Sequence, residues 1–112
     1  MELTALPPRL ARVFLEEARQ RLAEMHDGLA ALRGGDEAAT DCLWRAAHTI
    51  KGNAAMVCLD ELSELAGSIE HLGKTHTFRA VHADADRVAM MVDAVRERID
   101  AMEPAETGAS ET

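Results

Sequence analysis

The sequence has 112 residues, 47% hydrophobic and 29% charged, the balance of one soluble globular domain rather than of a disordered chain or of two domains. With 12 Lys and Arg against 20 Asp and Glu the net charge is −8, which argues against nonspecific binding to nucleic acid or to an anionic membrane. Aromatic residues are 3% (Trp44, Phe14, Phe78), so the core must be aliphatic, and a β-sandwich or barrel is disfavoured.

Pro7-Pro8 predicts a helix start. From there Leu10, Phe14, Ala18, Leu22, Met25, Leu29 and Leu32 recur at spacings of 4, 4, 4, 3, 4 and 3, one face of an amphipathic helix over 9–33. Gly34-Gly35 ends it, and Asp36 is the expected cap of a second helix over 37–56, whose inner stripe is Leu43, Ala46, Ala47, Ile50 and Ala54. Asp60 is the expected cap of a third helix over 61–76, with Leu62, Leu65, Ala66, Ile69 and Leu72 facing inward. His76–His82 reads as a connection, and a fourth helix over 83–102 carries Val88, Met91, Val92, Val95, Ile99 and Met102. After Met102 the chain has no large apolar residue and no base, so 103–112 reads as a flexible acidic linker or tail. The expected fold is an all-α, antiparallel up-down four-helix bundle over 1–102. The Met start and linker-like end point to the head of a larger protein.

No apolar run approaches the roughly 18 residues of a membrane span, and the N-terminus has no signal-peptide pattern, so no membrane insertion is expected. Cys42 and Cys58 form no C-x-x-C pair and read as reduced thiols, either small apolar fillers or partly exposed. Together these features point to the cytoplasm.

The chemistry concentrates in the second helix. His48, Lys51 and Gly52 stand at i, i+3 and i+4, so they share one face. A mid-helix glycine costs roughly 1 kcal/mol relative to alanine, and room for a partner to reach His48 would be the benefit. Glu70 lies 22 residues after His48 with the turn at 57–60 midway, so an antiparallel third helix returns it to the level of the imidazole. A carboxylate on Nδ1–H would fix the tautomer and leave the Nε2 lone pair nucleophilic, and Lys51 could neutralise a dianion placed there. These roles suit a histidine that accepts and donates a phosphoryl group. Such a histidine must be reached by two active sites in turn, so it belongs on a convex surface. No G-x-x-x-x-G-K-[ST], G-x-G-x-x-G or D-F-G occurs, so the phosphoryl donor is expected on another domain.

Leu43-Trp44-Arg45-Ala46-Ala47-His48-Thr49-Ile50-Lys51-Gly52 resembles the signature of histidine phosphotransfer (HPt) domains, above all those at the N-terminus of chemotaxis histidine kinases of the CheA type. The similarity extends through Leu62, Leu65 and Ile69-Glu70, and more loosely over 10–100. The resemblance implies that His48 is the phosphoacceptor, Lys51 its electrostatic partner, Glu70 its Nδ1 acceptor and Gly52 the clearance residue. It implies a histidine kinase catalytic domain and a response-regulator receiver domain as partners, with no cofactor on this chain and ATP and Mg in the partner domains. A receiver would dock around His48 with Gly52, Ala55 and Met56, and an isolated domain of this kind would be monomeric. Two positions depart from the family pattern. Cys58 stands where a glycine is usual, which implies a different turn geometry. Gly67 stands where a second histidine is usual, which bears on any extended His/Glu network.

The remaining features have plainer readings. His26, His71, His76 and His82 are expected to be solvated. Met25, Met56, Met90, Met91 and Met102 are expected in or near the core, and Trp44 is expected to pack under the first helix. The rival functions are a structural or adaptor bundle binding a partner helix, a stand-alone HPt carrier of a multistep relay and, more remotely, a metal-binding bundle using His71, His76 and His82.

Overall fold

The computed structural model describes residues 6–38 and 40–102, and the expected acidic tail 103–112 lies outside the described residues. Among the described residues five helices follow in order: α1 (Pro8–Arg33), α2 (Asp41–Met56), α3 (Asp60–Thr75), α4 (Phe78–Ala83) and α5 (Ala85–Met102). The four long ones form the expected all-α bundle, and no strand occurs among the described residues. Helix α2 lies between α1 and α3, and α5 closes the ring against those same two helices.

Cross-helix pairs give the directions. Arg19 meets Asp100 at 2.6 Å and Arg33 meets Asp86 at 2.9 Å, so α1 and α5 run antiparallel. Arg98 meets Glu61 at 2.6 Å, so α5 and α3 do as well. These pairs are largely exposed, so each contributes little energy, but together they define the register. The energy lies in the aliphatic interior, where Met25, Leu32, Leu43, Ile50, Leu62, Ile69, Val88, Val92, Val95 and Ile99 are almost completely buried.

The predicted inner stripe of α2 is buried at every position: Leu43, Ala46, Ala47, Ile50 and Ala54. In α1 the predicted stripe is buried at Phe14, Ala18, Leu22, Met25 and Leu32 and half-buried at Leu29. Leu10 is 48% exposed, while Leu15 and Gly28 are buried as well. Gly28 is buried because α2 crosses there: a Cβ on it would come within 2.8 Å of the Leu43 backbone. Met56 and Met90 are also corrections to the expected core, at 83% and 73% exposed; one ends α2 and the other lies on the outer face of α5.

The connections differ most from expectation. Helix α2 starts at Asp41 rather than at 37, so Asp36 does not cap it. The chain first makes a turn in which the amides of Gly34, Gly35 and Asp36 bond back to Ala30, Leu32 and Ala31, with Gly35 at φ +81°. Thr40 is buried before the helix and donates its hydroxyl to the Glu37 carbonyl. Asp60 is the first residue of α3, and Leu59 occupies the cap position. The connection between α3 and α5 contains α4, whose Thr77 side chain accepts the Ala80 amide at 3.2 Å. Cys58 adopts φ 62°, the left-handed conformation in which glycine is at ease, so the α2–α3 turn keeps a glycine-type backbone with a cysteine in it. Both cysteines are exposed, so neither fills the core.

Candidate functional site

The site is built where α2 and α3 pass each other. His48 is on the outer side of α2, its side chain 68% exposed. Gly52, one turn on, opens to solvent, and a Cβ there would meet nothing within 4 Å. Ala55 and Met56 continue the exposed strip.

Glu70 follows Ile69 and sits one turn beyond Ala66, at the edge of the α3 stripe that faces α2, and this places a carboxylate 4% exposed against the helix bearing His48. A buried carboxylate needs partners. The ring Nδ1 of His48 and the Nζ of Lys74, at 3.1 Å, share Oε2, while the Nζ of Lys51 donates to Oε1 at 3.0 Å. The Lys51 stem reaches this position by lying over Gly67, whose missing Cβ would touch the Lys51 Cδ at 3.5 Å. Ser63 ties the two helices again by donating to the Lys51 carbonyl at 3.1 Å.

These partners determine the charge. Burial pushes the Glu70 carboxyl up, but the hydrogen bonds from Lys51, Lys74 and His48 and the attraction of His48 outweigh it and lower the pKa from 4.5 to about 2. Glu70 is therefore ionised at neutral pH and can only accept. Its partner nitrogen on His48 must then be the donor. The neutral ring carries its proton on Nδ1 and its lone pair on Nε2, which makes no hydrogen bond among the described residues. The arrangement is an exposed nucleophilic nitrogen backed by a buried anion and two exposed cations.

The family model for the Hpt domain matches residues 9–98. The chain belongs to the Hpt domain family. This Hpt domain is 35% identical over 63 residues to the chemotaxis protein CheA of Rhizobium meliloti, covering 54% of this chain and 8% of that protein. It is 29% identical over 92 residues to the chemotaxis protein CheA of Halobacterium salinarum, covering 80% of this chain and 13% of that protein. The chain thus spans about a tenth of the length of these relatives. No solved structure matches at the same level of significance.

Of the residues singled out in the sequence, the Hpt fold brings His48, Lys51 and Glu70 into one cluster and places Gly52, Ala55 and Met56 beside it in solvent. Lys51 is also drawn to Glu70, a partner that the sequence reading did not give it. Trp44 is half-buried and packs against the core from the α3 side. Its indole covers Gly73 of α3, where a methyl group would collide with the ring. His71, His76 and His82 form no metal site; among the described residues no three His, Cys, Asp or Glu could hold an ion. Lys74 is the member that sequence reasoning missed. Its signal was present as the i, i+4 spacing from Glu70, which puts the two on one helical face.

No helix among the described residues is long and apolar enough to cross a membrane.

Proposed function

We propose that His48 is the phosphoacceptor of a two-component relay, taking a phosphoryl group from the catalytic domain of a histidine kinase and passing it to an aspartate of a response-regulator receiver, in chemotaxis-type signalling. The observation that carries this reading is the exposed imidazole held at Nδ1 by a buried, ionised carboxylate. An adaptor surface has no use for such a carboxylate, whose burial opposes folding unless it is fully partnered.

The Nε2 lone pair attacks the γ-phosphorus of ATP bound in the kinase domain. A P–N bond forms, the P–O bond to ADP breaks, and ADP leaves with that electron pair. The ring still holds its Nδ1 proton and gains positive charge, which Glu70 offsets across the hydrogen bond. At neutral pH Glu70 orients and stabilises the ring rather than removing its proton, because its pKa of about 2 makes it too weak a base. In the second step a carboxylate oxygen of the receiver attacks phosphorus, the P–N bond breaks, and its electron pair returns to Nε2. Lys51, three residues after His48 on α2, turns from Glu70 towards the dianionic group. ATP and Mg belong to the partner domains, and catalysis rests on positioning and charge neutralisation.

The receiver docks over Gly52, Ala55 and Met56. The N-terminal turns of antiparallel α1 lie at the same end of the bundle and carry exposed Leu10 and Val13. Incubation with a CheA-type kinase domain, ATP and Mg should put an acid-labile, base-stable phosphoryl group on the protein, and His48→Gln should abolish it. Incorporation that persists in His48→Gln, or none into the wild type, would overturn the assignment.

A further inference from the structure

The Glu70 carboxylate is held from two sides by cations that differ in position. Lys51 comes from α2, across Gly67, and binds Oε1, whereas Lys74 comes from α3 itself, one turn past Glu70, and binds Oε2 beside the His48 ring. Both lysine side chains are substantially exposed, at 47% and 66%, while the Glu70 side chain between them is 5% exposed. With the ring neutral the cluster sums to one positive charge. If Lys51 were the sole cation on Glu70, its departure to a phosphoryl group would leave a buried anion with only the imidazole as partner. Such a loss is costly in a poorly solvated position.

We propose that Lys74 is a positioning residue of the phosphoryl site: it neutralises Glu70 from the far side and so frees Lys51 to leave the carboxylate for the phosphoryl group on His48. This rests on the phosphocarrier reading above. Lys74 never touches the phosphoryl group. Its glutamate partner precedes it by four residues on the same helix, the favourable order for such a pair, so the contact survives any rearrangement of Lys51. On forming the P–N bond the site gains two negative charges on the phosphoryl group and one positive charge on the ring. Lys51 follows the former, and Lys74 and Glu70 remain as a closed pair beneath the latter. The bare space at Gly67 gives the Lys51 stem the freedom for that movement, since no side chain at 67 pins it.

The test uses wild type, Lys74→Gln, Lys74→Arg, Lys51→Gln and the Lys51→Gln/Lys74→Gln double variant, with folding checked by circular dichroism. The Glu70 titration is followed by carboxyl-carbon NMR in the unphosphorylated proteins. Phosphorylation is then measured with phosphoramidate, a small donor whose P–N bond breaks to release ammonia as the imidazole takes the phosphoryl group. Lys74→Gln should raise the Glu70 midpoint by about one unit and slow phosphorylation roughly three- to tenfold, and Lys74→Arg should restore both. The double variant should lose less than the product of the single losses, because Lys74 acts on the rate through Lys51. A Lys74→Gln protein with the wild-type midpoint and rate, or one that Lys74→Arg fails to rescue, would overturn the inference while leaving His48 as phosphoacceptor. A wild type that takes up no phosphoryl group on His48, with Glu70 still responding to Lys74, would overturn the phosphocarrier reading and with it the role given to Lys74.

Discussion

A carboxylate that is 4% exposed must either protonate or gather donors, and Glu70 gathers three: His48 Nδ1 and the ammonium groups of Lys51 and Lys74. The result is a folded pKa of about 2 against an ordinary 4.5. Because the folded value is the lower one, the stabilisation is fully present above about pH 4.5 and is lost as the pH falls towards 2. Urea unfolding of wild type and Glu70→Gln should therefore differ by about 1–2 kcal/mol at pH 7, less than the full shift implies because its partners are solvent-exposed, and the gap should close near pH 2. A gap independent of pH would contradict this electrostatic account. Cys58 is a second position where one side chain and its backbone are at odds: at φ 62° a β-carbon costs roughly 1–2 kcal/mol that a glycine would avoid.

Along the helices, glycines with the same residue type and secondary structure have opposite roles. Gly28 lets α2 approach α1, because a Cβ there would lie 2.8 Å from the Leu43 backbone amide. Gly52 meets nothing within 4 Å. Thermal or denaturant melts should show Gly28→Ala destabilising by about 1–3 kcal/mol through overpacking, and Gly52→Ala stabilising by up to about 1 kcal/mol through helix propensity. If Gly52→Ala destabilised instead, the open space assigned to that face would be wrong. Gly73 resembles Gly28: it admits the Trp44 indole and lets α2 lie close along α3, which helps hold His48 and Glu70 in register.

Taken together, the bundle separates scaffold from site. Helix α5 packs on α1 and α3 and supplies Val88, Val92, Val95 and Ile99 to the core, yet it contributes no residue to the cluster around His48. Ile99→Ala should therefore cost about 2–5 kcal/mol in chemical denaturation while leaving the rate of His48 phosphorylation unchanged under conditions where the variant is folded. A matching loss of rate would show that the site depends on the whole core. Charge is divided in the same way: the protein carries −8 overall, yet the cluster of His48, Lys51, Glu70 and Lys74 with a neutral ring carries one net positive charge, suited to a phosphoryl group.

The four long helices, the entire inner stripe of α2 and the pairing of His48 with Glu70 were all legible in the amino-acid sequence. Helical period is a local property, and an antiparallel return across a short turn is determined by counting residues on either side of it. Other features depended on the assembled bundle. The burial of Glu70, the turning of Lys51 across Gly67, the recruitment of Lys74 and the seating of Trp44 on Gly73 follow from the crossing of α2 and α3. The late start of α2 and the presence of α4 depend on turn conformations at Gly35 and Thr77 too short to leave a periodic trace. Periodicity says which face of a helix turns inward, but which long side chain reaches a buried charge depends on rotamers and on the space a neighbouring helix leaves, and those exist only once the helices have packed.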